Sequence, residues 1–325
     1  MILLLTTEAG DLSHIEVVNW LIAKKADYII MTGEELLSGN ADLTIHGGHV
    51  LYNGIDLTQT VRCVYYRRWI YPKGIQIVED SLLNNGLVSN LFNEAVEIKM
   101  LLANSLTNAT WIPKHDAIAV TKPSVLSIAK QCDLLTPDTI VTTEKSELLR
   151  FSQTHRGQII TKAIGNYTDM HPSSGEAIRC LYTKRVAPEM IDNLPLRFVP
   201  TLFQQRIEKS FELRIFFFMD SFFVTGIMSQ DSTCSVEDSR ISDGNNDSKL
   251  VPMDIHIDTK TKLSNLMHRL DLNIGSIDMI VDKHGDCYFL EVNPVGQISG
   301  YSRRTGQNIE EFIADKLIAI DNGTC

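Results

Sequence analysis

Short apolar runs separated by polar turns make up the first third of the chain. MILLLTT is an unbroken apolar run of strand length, which suits a buried strand. Ser13-His14-Ile15-Glu16 has capping-box spacing, a hydroxyl followed three places on by a carboxylate, and predicts a helix to about Lys25. DYIIMT is the next strand. This β-α-β opening predicts a small parallel α/β domain. Its later elements are RCVYYRRWI and a long helix from about Leu82 to Leu106, and a boundary falls near Trp111-Ile112-Pro113.

The middle of the chain predicts a helix from about Thr121 to Cys132, the extended stretch DTIVT, a short helix and the strand GQIITKAI. Prolines 172, 188, 195 and 200 make 165–200 turn-rich and poor in regular helix. From Pro200 the pattern becomes antiparallel β: TLFQQRI, then ELRIFFFM, then FFVTGIMS. IFFFMDSFFVTGIM is broken by Asp220 and Ser221, so it reads as a buried hairpin and not as a membrane span. A polar insertion (231–248), a helix around 258–271, a hairpin and a last helix near 308–319 complete the chain. The pattern divides into an α/β part (1–111), a central lobe (112–200) and an antiparallel lobe (201–325).

The hairpin SIDMIVDKHGDCYFLEVN is where pattern becomes chemistry. Residues two apart on a strand share a face, so Glu291 and Asn293 present their oxygens together while Leu290 and Val292 face the other way. If Lys283 to Asp286 form the loop, Asp282 pairs with Cys287, and counting back sets Asp278 opposite Glu291. Two carboxylates and an amide, without histidine or thiol, suit Mg²⁺, which keeps several waters and shares substrate phosphates.

Other positions carry chemistry beside an ordinary reading. Lys122 opens a helix and Lys162 lies in an apolar strand, where phosphate oxygens would satisfy both, though each suits a solvated surface as well. TLFQQRIEKSFELR joins two lobes. Its edge, Gln204 to Ile207 with Gln205 and Arg206 between, would meet a purine through backbone groups, and Glu212 a ribose; alone it is a connecting strand. Arg214 and Arg240 suit a transferring phosphoryl group or an acyl phosphate, or equally a structural ion pair. His46-Gly47-Gly48-His49 reads as a turn. Tyr65-Tyr66-Arg67-Arg68-Trp69 binds a peptide, closes a lobe interface or ends a strand in solvent.

At 325 residues, 44% hydrophobic and 22% charged, the composition is that of a soluble globular enzyme. The net charge of −10 disfavours a nucleic-acid partner. The six cysteines are far apart with no C-x-x-C, as in reduced thiols of a cytoplasmic protein. MILLL is too short for a span and acids follow it, so no membrane partner is expected. G-x-S-x-G, H-E-x-x-H, Walker A and G-x-G-x-x-G are absent, which removes serine hydrolase, zincin, P-loop and simple Rossmann readings.

Over about 111–300 the chain resembles the ATP-grasp ligases: a lysine opening a helix, a second on a later strand, an inter-lobe hinge, and acid, acid and Asn at the end. Lys122, Leu126, Ala129, Leu134, Pro137 and Thr139 match the family's spacing, with Asp133 where glycine is common. The usual glycine-rich flap is reduced to Gly165 and Gly175. Within the superfamily the YYRRW-like segment, the ELR strand, Asp238-Ser239-Arg240 and FLEVNPVGQ resemble the graspetide synthetases, the microviridin-type and grasp-with-spasm peptide maturases.

That resemblance implies an ATP-grasp fold preceded by a parallel α/β domain, use of ATP with two Mg²⁺ ions, and a homodimer. It also implies the reaction. Side-chain carboxylates of a ribosomal precursor peptide are activated as acyl phosphates, then attacked by a hydroxyl or amine to close macrocyclic esters or amides. The precursor's leader segment would dock on the middle domain, around 170–200. Two other readings stand beside it: a ligase joining small molecules or adding an amino acid, of the glutathione synthetase or glutamate-ligase type, and a nucleotide-binding regulatory protein without turnover.

Overall fold

The computed structural model describes residues 1–8, 13–69, 77–115, 117, 120–165, 183–228 and 249–324. It opens on β1 (Ile2–Thr6), every residue of which is buried. Helix α1 (Ile15–Ala23) returns the chain to β2 (Tyr28–Thr32), parallel to β1. The capping box does not form. The N-cap is His14, no side chain caps the helix, and the His14 ring instead meets the Thr6 hydroxyl at 2.8 Å. After α2 (Gly33–Leu37), a small antiparallel sheet that the sequence pattern did not predict is built from β3 (Leu43–His46), β4 (His49–Tyr52) and β5 (Ile55–Asp56). Gly47 and Gly48 both have positive φ in the β3–β4 turn, so the His46–His49 stretch is a two-residue hairpin turn. Then come α3 (Leu57–Thr60), β6 (Cys63–Tyr66), α4 (Ser81–Ser105) and β7 (Thr110–Ile112). The first sheet is parallel, in the order β2-β1-β6-β7.

The chain then forms α5 (Lys122–Gln131). Its end explains an unusual residue. Asp133 has φ +58°, Leu134 N–H donates to Ala129 C=O and Asp133 N–H to Lys130 C=O, the pairing of a helix that stops in a left-handed residue. Glycine is the usual solution there, and aspartate is among the side chains that tolerate it. The chain continues as β8 (Thr139–Glu144), α6 (Lys145–Thr154), β9 (Ile159–Lys162), β10 (Lys184–Arg185), α7 (Pro188–Asp192) and β11 (Arg197–Gln205), which runs through residue 200. The second sheet is ordered β10-β9-β11-β8.

The last lobe is a five-stranded antiparallel sheet, ordered β14-β13-β12-β15-β16. Its strands are β12 (Lys209–Phe218), β13 (Ser221–Met228), β14 (Lys249–Met253), β15 (Ile274–Asp282) and β16 (Cys287–Asn293), with α8 (Ile257–Arg269) before β15. Strands β12 and β13 form the expected buried hairpin, turning at Met219 and Asp220, both with positive φ. One face of the sheet packs under α5 and α8: Val125, Leu126 and Ala129 meet Leu263, Met267, Ile277, Phe289 and Val292 in one core. Finally α9 (Ser299–Thr305) and α10 (Ile309–Asp321) return to the first lobe. Ile313, Ala314 and Leu317 of α10 share a core with Val17 and Leu21 of α1 and Phe218 of β12.

Candidate nucleotide and metal site

The face of the third sheet turned away from α5 and α8 carries the acids. On β15, Ile277, Met279 and Val281 enter the core, which leaves Asp278 on the opposite face. Cross-strand register sets Arg214 beside Asp278 and Asp278 beside Glu291, and Ser276 opposite Asn293. Three adjacent strands therefore place Arg214, Asp278 and Glu291 in one row.

The row arises differently from the simple count. Val281, not Asp282, opposes Cys287, and the turn is Lys283, His284 and Gly285, whose φ is +89°. Asp282 instead accepts the amides of His284 and Asp286 on its carboxylate, at 2.8 and 3.0 Å. A bulge at Leu290 then restores the register, so that Met279 opposes Phe289 while Asp278 opposes Glu291. Phe289 and Val292 fill the core, and Leu290 is only half-buried, not the core partner of Val292 that alternation predicts.

Arg214 Nη1 donates to Asp278 Oδ1. The same guanidinium lies 5.5 Å from the Tyr301 ring centroid, a cation over an aromatic face. Burial pushes the Asp278 carboxyl up, Arg214 opposes this and Glu291 adds to it. Burial also works against the Arg214 charge, but Asp278, Tyr301 and Glu291 outweigh it and hold the guanidinium above its ordinary value. The Tyr301 hydroxyl is raised by burial, with Arg214 pulling the other way. Tyr301, on α9, was missed by the sequence reading; its one signal was an aromatic shortly after FLEVNPVGQ.

Lys122, the first residue of α5, brings its ammonium to 3.6 Å from the Glu291 carboxylate. The helix start expected at this lysine thus delivers it to the acidic row. Asn293 Oδ1 accepts the Val295 amide at 3.1 Å, which fixes the amide and leaves the oxygen a second lone pair. Gly296 follows at very close quarters, since a Cβ there would lie 2.4 Å from Ser276 Cβ. Its carbonyl accepts from Arg67 Nη2 at 3.1 Å, and Arg67 is 1% exposed.

Lys162 closes β9, half-buried and paired in register with Leu202. Residues 206–208 connect the second and third sheets. Gln204 is buried and its amide donates to Thr139 Oγ1 at 2.9 Å. The backbone amides of Gln205 and Arg206 donate to the Asp138 and Gln158 carbonyls at 2.8 and 2.9 Å. Glu212 accepts from Lys209 Nζ. Arg240, Asp238, Ser239 and Gly175 lie outside the described residues.

The donor set fits Mg²⁺. Among the described residues no three His, Cys, Asp or Glu side chains form a metal cage. Asp278, Glu291 and Asn293 supply oxygens only and leave coordination positions to water and phosphate, the habit of Mg²⁺.

No protein-family model matches the chain, and no curated protein does. Solved structures do match, and they define the class: the chain has the ATP-grasp fold. A RiPP-associated ATP-grasp ligase from Chryseobacterium gregarium, in complex with ADP and a leader and core peptide, is similar at a TM-score of 0.82 and 24% identity, over 97% of this chain and 96% of its own. The macrocyclase MdnC from Microcystis aeruginosa MRC, bound with precursor peptide MdnA, matches at 0.80 and 24%, over 98% and 99%. The ATP-grasp ligase PsnB, complexed with minimal precursor, Mg and ADP, matches at 0.76 and 17%, over 98% and 97%.

Proposed function

We propose that this chain is an ADP-forming ligase that activates Asp or Glu side-chain carboxylates of a ribosomal precursor peptide as acyl phosphates. Attack by a Ser or Thr hydroxyl or a Lys amine on the acyl carbon then closes a macrocyclic ester or amide, breaking the acyl–phosphate bond and releasing phosphate and the nucleophile's proton. The observation that carries this reading is the row Arg214, Asp278, Glu291 with Lys122 against it, on a chain whose full length follows ligases solved with precursor peptides.

In this reading Asp278, Glu291 and Asn293 hold Mg²⁺, taken as two ions. When bound, the metal neutralises charge on the β- and γ-phosphates during phosphoryl transfer. Lys122 and Lys162 bind phosphate oxygens, Gln204 to Ile207 form the purine edge and Glu212 meets the ribose. Arg214 and Arg240 stabilise charge that develops on the phosphoryl and acyl-phosphate oxygens. The three parts 1–111, 112–200 and 201–325 act as the preceding domain, the nucleotide and leader-binding lobe, and the metal lobe. The leader docks around 170–200.

No helix among the described residues is long and apolar enough to cross a membrane. We place the enzyme in the cytoplasm, where ATP is supplied; Cys132 and Cys287 are free thiols, as a reducing compartment keeps them. The chain acts as a homodimer, whose mass in solution light scattering checks it. The test of function is ADP release with Mg²⁺ and the precursor encoded beside the gene. Release that requires both supports the ligase, release with small carboxylates and amines alone supports the small-molecule alternative, and none with any substrate supports the regulatory protein.

A further inference from the structure

The YYRRW segment has no part in the phosphate and metal site, yet the fold places it with care. In the first sheet β2 and β6 lie on opposite sides of β1, so the chain reverses its winding there. Open α/β sheets hold ligands outside the carboxyl ends of the strands flanking such a reversal. The carboxyl end of β6 is Tyr66, followed directly by Arg67 and Arg68.

Each of these residues is constrained. The Arg67 amide donates to the Leu5 carbonyl at 2.7 Å, which continues the pairing with β1 beyond the strand. Its buried guanidinium reaches Gly296, three residues after Asn293, so this strand end is tied to the loop that leaves the metal row. Arg68 has φ +53°, a conformation an arginine rarely adopts and one that turns the chain sharply here. From α4, Lys99 sets its ammonium 5.1 Å from the Tyr66 ring centroid. Lys99 is half-buried, and burial alone pulls its amine below the ordinary lysine value. No carboxylate among the described residues offsets its charge. A partly desolvated ammonium of this kind gains most from an anion.

We propose that Lys99, with Tyr66 and the Arg67-Arg68 turn, receives a side-chain carboxylate of the peptide substrate at the carboxyl end of β6. This deepens the ligase reading and rests on it. In a chain of net charge −10, a cation against the ring of the last β6 residue, with no carboxylate partner among the described residues, is a selective feature. It recognises an acidic peptide at the carboxyl end of β6. The Arg67 contact keeps that site and the metal loop in fixed relation.

The experiment pairs enzyme and peptide variants. Lys99→Met keeps the length and apolar stem, and Lys99→Arg keeps the charge. Steady-state ADP release and fluorescence anisotropy of a labelled precursor without ATP are measured for both, and for precursors with each Glu changed to Gln. Loss of one charge-assisted contact predicts a peptide KM and Kd raised about tenfold or more in Lys99→Met. The KM for ATP stays unchanged, and Lys99→Arg largely recovers peptide affinity. One Glu→Gln precursor should no longer distinguish Lys99→Met from wild type. Wild-type peptide KM and Kd in a folded Lys99→Met enzyme would overturn the site and leave the ligase intact. A wild-type chain that neither binds precursor nor releases ADP with it would overturn the ligase reading itself, and this site with it.

Discussion

The proposed mechanism gives each residue of the site a distinct task, and substitution should separate them. Glu291→Ala and Asn293→Ala remove oxygens from the face opposite the core, so turnover should vanish while circular dichroism and the melting transition stay near wild type. Near-normal ligation by both would contradict the metal assignment. Arg214→Ala and Arg240→Ala should lower kcat by about 10²–10³ with little change in ATP affinity, because charge builds on the oxygens they meet only as reaction proceeds. A raised KM for ATP at constant kcat would transfer them to nucleotide binding. Tyr301 touches Arg214, so Tyr301→Phe, which keeps the ring, should keep activity, and Tyr301→Leu should cost about two- to thirtyfold in kcat, the range of a cation–aromatic contact. Glu291 and Asn293 were legible because residues two apart on a strand share a face, and the Asp278–Glu291 pairing came right because the tighter turn and the bulge cancel. Tyr301 was not, because its contact with Arg214 depends on how α9 folds back over the sheet.

At the scale of elements, local signals worked best where one interaction decides the structure. The helix starting at Lys122 and the buried hairpin around Asp220 appeared as expected, although its two-residue turn is Met219-Asp220, both with positive φ, and Ser221 already pairs with Phe218. The β15–β16 pairing was right at the acids and wrong at the turn. A tighter loop and the bulge at Leu290 shift the register in opposite senses and cancel by Glu291. Pattern cannot show a bulge, which is set by which side chains the core accepts, here Phe289 and Val292. The capping box failed because the helix begins one residue past His14 with its ring turned to Thr6. The loop after Asn293 offers a direct test. A methyl at Gly296 would press on Ser276 Cβ at 2.4 Å and Oγ at 2.5 Å. Gly296→Ala should therefore cost about 1–3 kcal/mol, as overpacking does, read as a lower denaturation midpoint with a weakened Mg²⁺ dependence of turnover. An unchanged midpoint would show that the loop yields freely.

For the whole molecule, contacts between distant parts of the chain hold the lobes together. The N-terminal ammonium pairs with Asp321, Arg67 reaches Gly296, and α10 shares a core with α1, so the first and last lobes are joined at several points. These pairings span most of the sequence and leave no local trace, which is why they were not legible in it. The second sheet meets the third through residues 206–208 and carries Lys162. Lys162→Ala should weaken ATP binding about ten- to a hundredfold, the loss of one charge-assisted phosphate contact. An unchanged nucleotide Kd by calorimetry would make that lysine structural. The central claim is tested most directly by the mass of the precursor after co-expression with this enzyme. Wild type should return a precursor lighter by one water for each ring closed, and Glu291→Ala the unmodified mass. An unmodified precursor from an active, ATP-consuming wild-type enzyme would contradict macrocyclisation.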